Sequence, residues 1–356
     1  MSRKTLKLWQ CRLIASLKPT GEAGFTLMEL LIAAFMASLV VSGLLFMITE
    51  LLRIDNREIA LEEVQRDTQR AMDFIADELQ EAVYVYTTTE DTGNADPADD
   101  VHVTNDVTGV GAAVPGTPIL AFWKVNPITQ NEMPTGACED TFENNPEKIR
   151  ACGALKIRRA SYDLVVYSQI DAESDSAYSP WEGRSRISRY VLSQYSDPIS
   201  DLDENPGYTN PGTSTGEIRD SFKNWQIEPL AAGENLPGTA SVLVDYIGLP
   251  GSSTASTDNV CTDSIPGSVD GDYVLSPPSA TVDSSFFACV RDPGSVTTAT
   301  QEGVTTSRSN QDIYIFLRGD ASGGSSASGA ASEDSRLPLL RTQVLVRGLI
   351  NKEIND

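Results

Sequence analysis

Apolar positions along this chain fall into three patterns, and each predicts a different kind of element. Residues 30–48 form a run of 19 with no charge and no proline, diluted only by Ser38, Ser42 and Gly43. At about 1.5 Å per residue that run covers roughly the 30 Å of a bilayer's hydrocarbon. From about Glu50 the pattern changes. Leu61, Val64, Met72, Ile75, Leu79 and Val83 recur at helical spacing, while Glu62, Glu63, Arg66, Asp67, Arg70, Asp73, Asp77 and Glu81 fill the other faces. No proline lies between Pro19 and Pro97, so both runs read as one helix over residues 25–86.

The third pattern is short β-prone runs separated by turn residues. Residues 87–118 read as a loop rich in Asp, Asn, Gly and Pro. Strands are expected over 119–125, 155–158, 162–170, 187–195, 225–230, 241–247, 286–290, 313–318 and 342–349. Residues 319–335 are almost wholly Gly, Ala and Ser, and read as the loop joining the last two strands. The expected class is α+β: a long N-terminal helix, membrane-spanning in its first half, packed on an antiparallel sheet. Four segments follow: a leader (1–24), a membrane half (25–48) and an amphipathic half (49–86) of the helix, and a β-rich head (87–356).

Charge changes the picture in two ways. The chain carries 27 Lys and Arg against 50 Asp and Glu, a net of −23. Such acidity argues against nucleic acid as a partner, which would call for a basic face. The leader runs the other way, with Arg3, Lys4, Lys7, Arg12 and Lys18 against Glu22. Cations ahead of an apolar run stay cytoplasmic, which places the head across the membrane. A secretory signal would end its apolar region at a small-residue cleavage site, whereas here the run is longer and the candidate cut lies before it; an ordinary signal anchor is the other reading.

Cysteine usage agrees with an extracytoplasmic head. Cys11 is in the leader, and Cys138, Cys152, Cys261 and Cys289 remain as disulfide candidates. Four cysteines allow three connectivities. Zinc is a poorer reading, because there is no C-x-x-C pair and the single histidine, His102, sits in an acidic loop.

The stretch Gly24-Phe25-Thr26-Leu27-Met28-Glu29 is the most specific motif. A carboxylate inside a membrane-length run costs at least about 2.5 kcal/mol and calls for a partner. This motif resembles the processing and assembly signal of type IV prepilins and type II secretion pseudopilins. The resemblance implies a pilin fold, a cut after Gly24 by the prepilin peptidase, and N-methylation of Phe25. It also implies that Glu29 faces a neighbouring subunit's N-terminal amine. Other pilins or pseudopilins, the peptidase and an inner-membrane assembly platform would be the partners. Localisation would be single-pass in the inner membrane, then in a filament. Ala34, Ser38 and Ser42, spaced i, i+4 and i+8, would let neighbouring helices approach.

The outline of a long helix followed by strand-like runs such as Ile187-Ser188-Arg189-Tyr190, Val242-Leu243-Val244-Asp245-Tyr246 and Thr342-Gln343-Val344-Leu345-Val346-Arg347-Gly348 resembles the larger minor pilins and pseudopilins, of the W and J types, which prime or cap a filament. The close of the amphipathic half, Leu79-Gln80-Glu81-Ala82-Val83-Tyr84-Val85-Tyr86, is similar to a cyanobacterial pseudopilin of hormogonium polysaccharide secretion. Export of polysaccharide or protein would be the role. The other reading is a membrane-anchored carbohydrate-binding or adhesive protein that uses the pilin signal.

Chemistry in the head gives little else. No G-x-S-x-G elbow, P-loop or H-E-x-x-H is present, and no enzyme or cofactor is expected. Asp201, Asp203 and Asn205 have the alternating spacing of a calcium loop. The glycine and distal glutamate of an EF-hand are missing at their offsets, so the run reads as an acidic loop. Trp123 and Trp225 fall in expected strands and read as core, whereas Trp181 reads as exposed.

Overall fold

A computed structural model describes residues 26–86, 114–172, 181–198, 202–211, 222, 225, 227–228, 230, 236–238, 240–251, 260–268, 272–291, 311–322 and 335–346. The chain divides into two compact units between Ile59 and Ala60. Helix α1 (Leu27–Gln80) contributes to both. In the first unit its residues 27–59 are exposed on every face, and it runs unbroken across Gly43. This is the one helix among the described residues that is long and apolar enough to cross a membrane.

The second unit holds the rest of α1 and two antiparallel sheets. Along the first sheet lie β1 (Ala82–Val85), β2 (Thr117–Pro127), β3 (Ala160–Asp171), β4 (Ser185–Leu192) and β5 (Ser241–Ile247), in that order. Along the second lie β6 (Val274–Ser276), β7 (Phe286–Val290), β8 (Asp312–Leu317) and β9 (Leu340–Leu345). Helices α2 (Cys138–Thr141), α3 (Pro146–Arg158) and α4 (Val260–Ser264) lie in the connections. The α+β class expected from the sequence, with a long N-terminal helix and antiparallel sheets, is the class observed.

The first sheet is buried on both faces, which explains why residues 119–123 read as a continuous apolar run rather than an alternating one. Leu120, Phe122, Val165 and Tyr167 point to one side, where Ala71, Ile75 and Leu79 of α1 and Phe286, Ile315 and Leu317 of the second sheet complete a single core. Ala121, Trp123, Leu164 and Val166 point to the other side, onto Tyr86, Tyr208, Phe222 and Trp225. Along α1 the buried positions include Val64, Thr68, Met72, Ile75 and Leu79, close to the helical stripe expected. All eight charged residues assigned to the other faces are exposed. Gly319 runs so close to this helix that a Cβ would lie 2.8 Å from both Val64 and Thr68.

Edge strand β1 is closed by a side chain. Gln311 accepts a hydrogen bond from Val85 N and donates one to Val85 O, both at 2.9 Å, as a neighbouring strand would.

Several expectations are corrected. The helix stops at Gln80 and not at Tyr86, because Ala82-Val83-Tyr84-Val85 is rich in β-branched and aromatic residues and pairs with β2. The head therefore begins inside the segment assigned to the helix. Residues 155–158 are the last turn of α3 rather than a strand. Asn145 caps that helix by accepting from Lys148 N, Pro146 fits its first turn, and Arg159 ends it in a left-handed conformation. The described residues between 225 and 230 form no strand. The last strand is placed earlier, at Leu340–Leu345.

Candidate functional site

Glu29 lies in the first turn of α1, where the helix dipole favours an anion. Thr26 caps that turn: its Oγ1 accepts from Glu29 N at 3.3 Å and its carbonyl accepts from Leu30 N at 3.2 Å. Glu29 is exposed, as are Leu27, Met28, Leu30, Leu31 and Ile32 around it. Ala34, Ser38 and Ser42 are exposed on the same helix. Gly24 and Phe25, the two residues at the expected cut, lie outside the described residues, as do Cys11 and His102.

A second carboxylate on α1 is treated in the opposite way. Glu78 is buried at 7% exposure, and three strands of the first sheet supply its partners. Arg189 on β4 donates from Nε to Oε2 at 2.9 Å and from a terminal nitrogen to Oε1. Lys124 Nζ on β2 reaches Oε1 at 2.6 Å, and the Tyr167 hydroxyl on β3 donates to Oε2. Burial alone would push the Glu78 carboxyl up. The hydrogen bonds from Arg189, Lys124 and Tyr167 together outweigh it and hold the group at about 2. Burial and the adjacent carboxylate push the Tyr167 phenol up. This cluster fastens the helix to the sheet, and none of its four residues stood out in the sequence. The available signal was that Glu78 falls on the same arc as Ile75, Leu79 and Ala82.

Cys138 bonds to Cys152 and Cys261 to Cys289, the neighbour pairing among the three connectivities. The first bridge fastens α2 to α3, and the second fastens α4 to β7. Asp203 is exposed and pairs with Lys148 at 2.7 Å, while Asn205 Nδ2 donates to Ser193 O at 2.7 Å. Asp201 lies outside the described residues, and among those described no group of three or more His, Cys, Asp or Glu is placed to hold a metal. Trp123 and Trp225 are buried core residues, although only Trp123 lies in a strand.

Trp181 is 36% exposed and lies at a groove of about 840 Å³ between α1 and β5. The Asp245 carboxylate holds the Trp181 segment against β5 by accepting from the backbone N–H of Glu182 and Gly183, both at 3.0 Å. The Arg186 guanidinium lies over the indole at 5.7 Å. Glu63, Asp67, Arg70 and Phe74 of α1 face Leu243 and Tyr246 of β5 across the groove.

These features define an α+β protein whose N-terminal helix is able to span a membrane and whose second half is bonded into a two-sheet head. No family model matches the chain, and neither a curated protein nor a solved structure matches it.

Proposed function

We propose that the chain is a minor pilin or pseudopilin, a non-enzymatic subunit that helps prime or cap a secretion or pilus filament. The observation that carries the reading is α1 itself. Its residues 27–59 display apolar side chains on all sides, with Glu29 the only charge before Glu50, and its later residues lie on an antiparallel sheet. A helix of that kind has use for two environments, lipid first and other apolar helices afterwards.

In this reading prepilin peptidase cuts after Gly24, and the freed Phe25 amine is methylated. Residues 25–48 hold the subunit in the inner membrane until an assembly platform extracts it. The Glu29 carboxylate then meets the Phe25 ammonium of a neighbour. In a low dielectric that attraction is several times stronger than in water, so it sets the axial register of docking. The acidic head stays on the far side of the membrane, and its two disulfides suit an oxidising compartment. Polysaccharide or protein is the exported material.

The test is intact mass and N-terminal sequencing of the protein extracted from membranes. N-methylated Phe25 as first residue is expected. A chain that still begins at Met1, in cells with active prepilin peptidase, would overturn the reading.

A further inference from the structure

Two surfaces of the head have opposite character, and each departs from its surroundings. Helix α3 is basic in an acidic protein: residues 146–159 hold Lys148, Arg150, Lys156, Arg158 and Arg159 against Glu147 alone. Cys152 and Leu155 face inward, whereas Arg150, Ala154, Ile157 and Arg158 form an exposed i, i+4, i+7, i+8 stripe. Ile157 is 84% exposed, as bare as Leu27 at 83% on the membrane-capable helix. A large apolar side chain displayed between cations has no role in the fold around it.

The groove at Trp181 is the complement. Its walls offer Phe74, 46% exposed, and Trp181, and its α1 side carries Glu63 and Asp67. Arg70 lines the groove too and forms an exposed pair with Asp67 at 3.5 Å, a surface contact that an incoming cation can exchange for. A volume of about 840 Å³ is ample for an isoleucine and its helical neighbours.

The two surfaces sit at opposite ends of the first sheet. Helix α3 runs directly into the start of β3 at Ala160. The groove lies by the other end, where Asp171 pairs with Ser185 and Ser185 with Ile247 of β5. Twelve strand residues separate these ends by roughly 36 Å. A surface at one end that fits a surface at the other makes a head-to-tail contact, which propagates instead of closing as a two-fold dimer.

We infer that the heads of two copies of this chain associate head to tail, with the Arg150–Ile157–Arg158 stripe of α3 seated in the Glu63–Asp67–Phe74–Trp181 groove of the next copy. Ile157 supplies the apolar anchor, and the two arginines face the two carboxylates. The contact is small, so it belongs to the weak, salt-sensitive class of interfaces. It does not rest on the filament reading, because it needs only the folded chain and not its processing.

The test is sedimentation velocity of the full chain in excess detergent, at low and high salt. Three variants are compared: a groove variant (Glu63→Lys with Asp67→Lys), a helix variant (Arg150→Glu with Arg158→Glu), and Ile157→Ser. Wild type is expected to associate at low salt, and each variant about tenfold or more weakly. Each charge variant keeps one intact surface. Mixing the groove and helix variants should therefore restore association, because the native stripe of one meets the native groove of the other and the reversed charges complement each other at the alternate contact. Wild type that stays monomeric at low salt overturns the inference, and so does a mixture no more associated than its components. An equal loss with Asp73→Lys and Asp77→Lys, exposed on α1 outside the groove, would show that the cations of α3 are attracted to any acidic face of α1 and overturn it too.

Discussion

Glu78 of α1 and Arg189 of β4, 111 positions apart, meet as carboxylate and guanidinium, with Nε donating to Oε2 at 2.9 Å. The pair is enclosed between helix and sheet, with Lys124 and Tyr167 taking up the remaining capacity of the carboxylate. Removing one partner leaves a charge that is buried and only partly compensated. Arg189→Ala should therefore cost about 3 kcal/mol in urea unfolding, far more than a surface pair would. Glu78→Gln strands the guanidinium and should cost a similar amount. The double variant should lose much less than the two losses added. Additive losses would mean that the pair contributes nothing as a pair.

The same carboxylate gives stability a sign with pH. Glu78 is held at about 2 when folded, below its ordinary value of 4.5. Its contribution is complete above about 4.5 and is lost as pH falls toward 2. Asp163 on β3 acts in the opposite direction. It is buried at 4% exposure, and burial, only partly offset by hydrogen bonds with Ser193 and Asn126, pushes it up to about 6 from 3.8. Between about pH 4 and 6 the unfolded chain loses this proton while the folded chain keeps it, so stability falls as pH rises. Chemical unfolding across pH 2–8 should show a maximum near pH 4–5. Asp163→Asn should remove the decline above it and gain about 1–2 kcal/mol at pH 7, with little change at pH 4. A flat profile in that variant and in wild type alike would remove Asp163 from the account.

The two disulfides close loops with sequence separations of 14 and 28. Loop-closure entropy assigns about 3 and about 3.5 kcal/mol to them. Cys152 and Cys289 are fully buried, so both bridges should resist mild reductant while the head is folded. Partial digestion without reduction should recover Cys138 with Cys152 and Cys261 with Cys289. Replacing Cys261 and Cys289 by Ala should lower the thermal midpoint at least as much as replacing the other pair. The reverse order would mean that loop length does not decide their contributions.

What the sequence made legible was what a single element records by itself. Helix α1 carries its own period, so Val64, Met72, Ile75 and Leu79 could be assigned to the core before any partner was known. Strands β2 and β3 could be read because both of their faces are apolar. The Glu78 cluster was not legible, because it is assembled from α1, β2, β3 and β4: the local pattern places Glu78 on the arc of Ile75 and Leu79 but names none of its partners. The end of α1 is not legible for a related reason. Ala82-Val83-Tyr84-Val85 continues a helical spacing, and its pairing with β2, which begins more distantly in the sequence, decides in favour of a strand. The groove at Trp181 depends on Asp245 holding a segment 62 positions away, which sequence spacing does not encode.

Glu29 provides the last prediction, and it separates folding from assembly. Its side chain is exposed at the start of α1, and residues 27–59 form a unit apart from the head. Glu29→Ala should leave the head's thermal midpoint within about 1 °C of wild type, since an exposed substitution away from the core changes stability little. Membrane insertion should persist and even improve slightly, because a charge costing at least about 2.5 kcal/mol in hydrocarbon has been removed. If the chain is cut as proposed, processing at Gly24 should continue. What should fall is recovery of the subunit in sheared filament fractions, by about tenfold or more if the carboxylate and the neighbour's ammonium set the register of docking. Glu29→Gln keeps the shape without the charge and should fail in the same way, whereas Glu29→Asp should retain part of the activity. Full incorporation of the Gln variant would mean that the charge has no part in docking. A variant that is neither cut nor inserted would place Glu29 in the recognition of the leader.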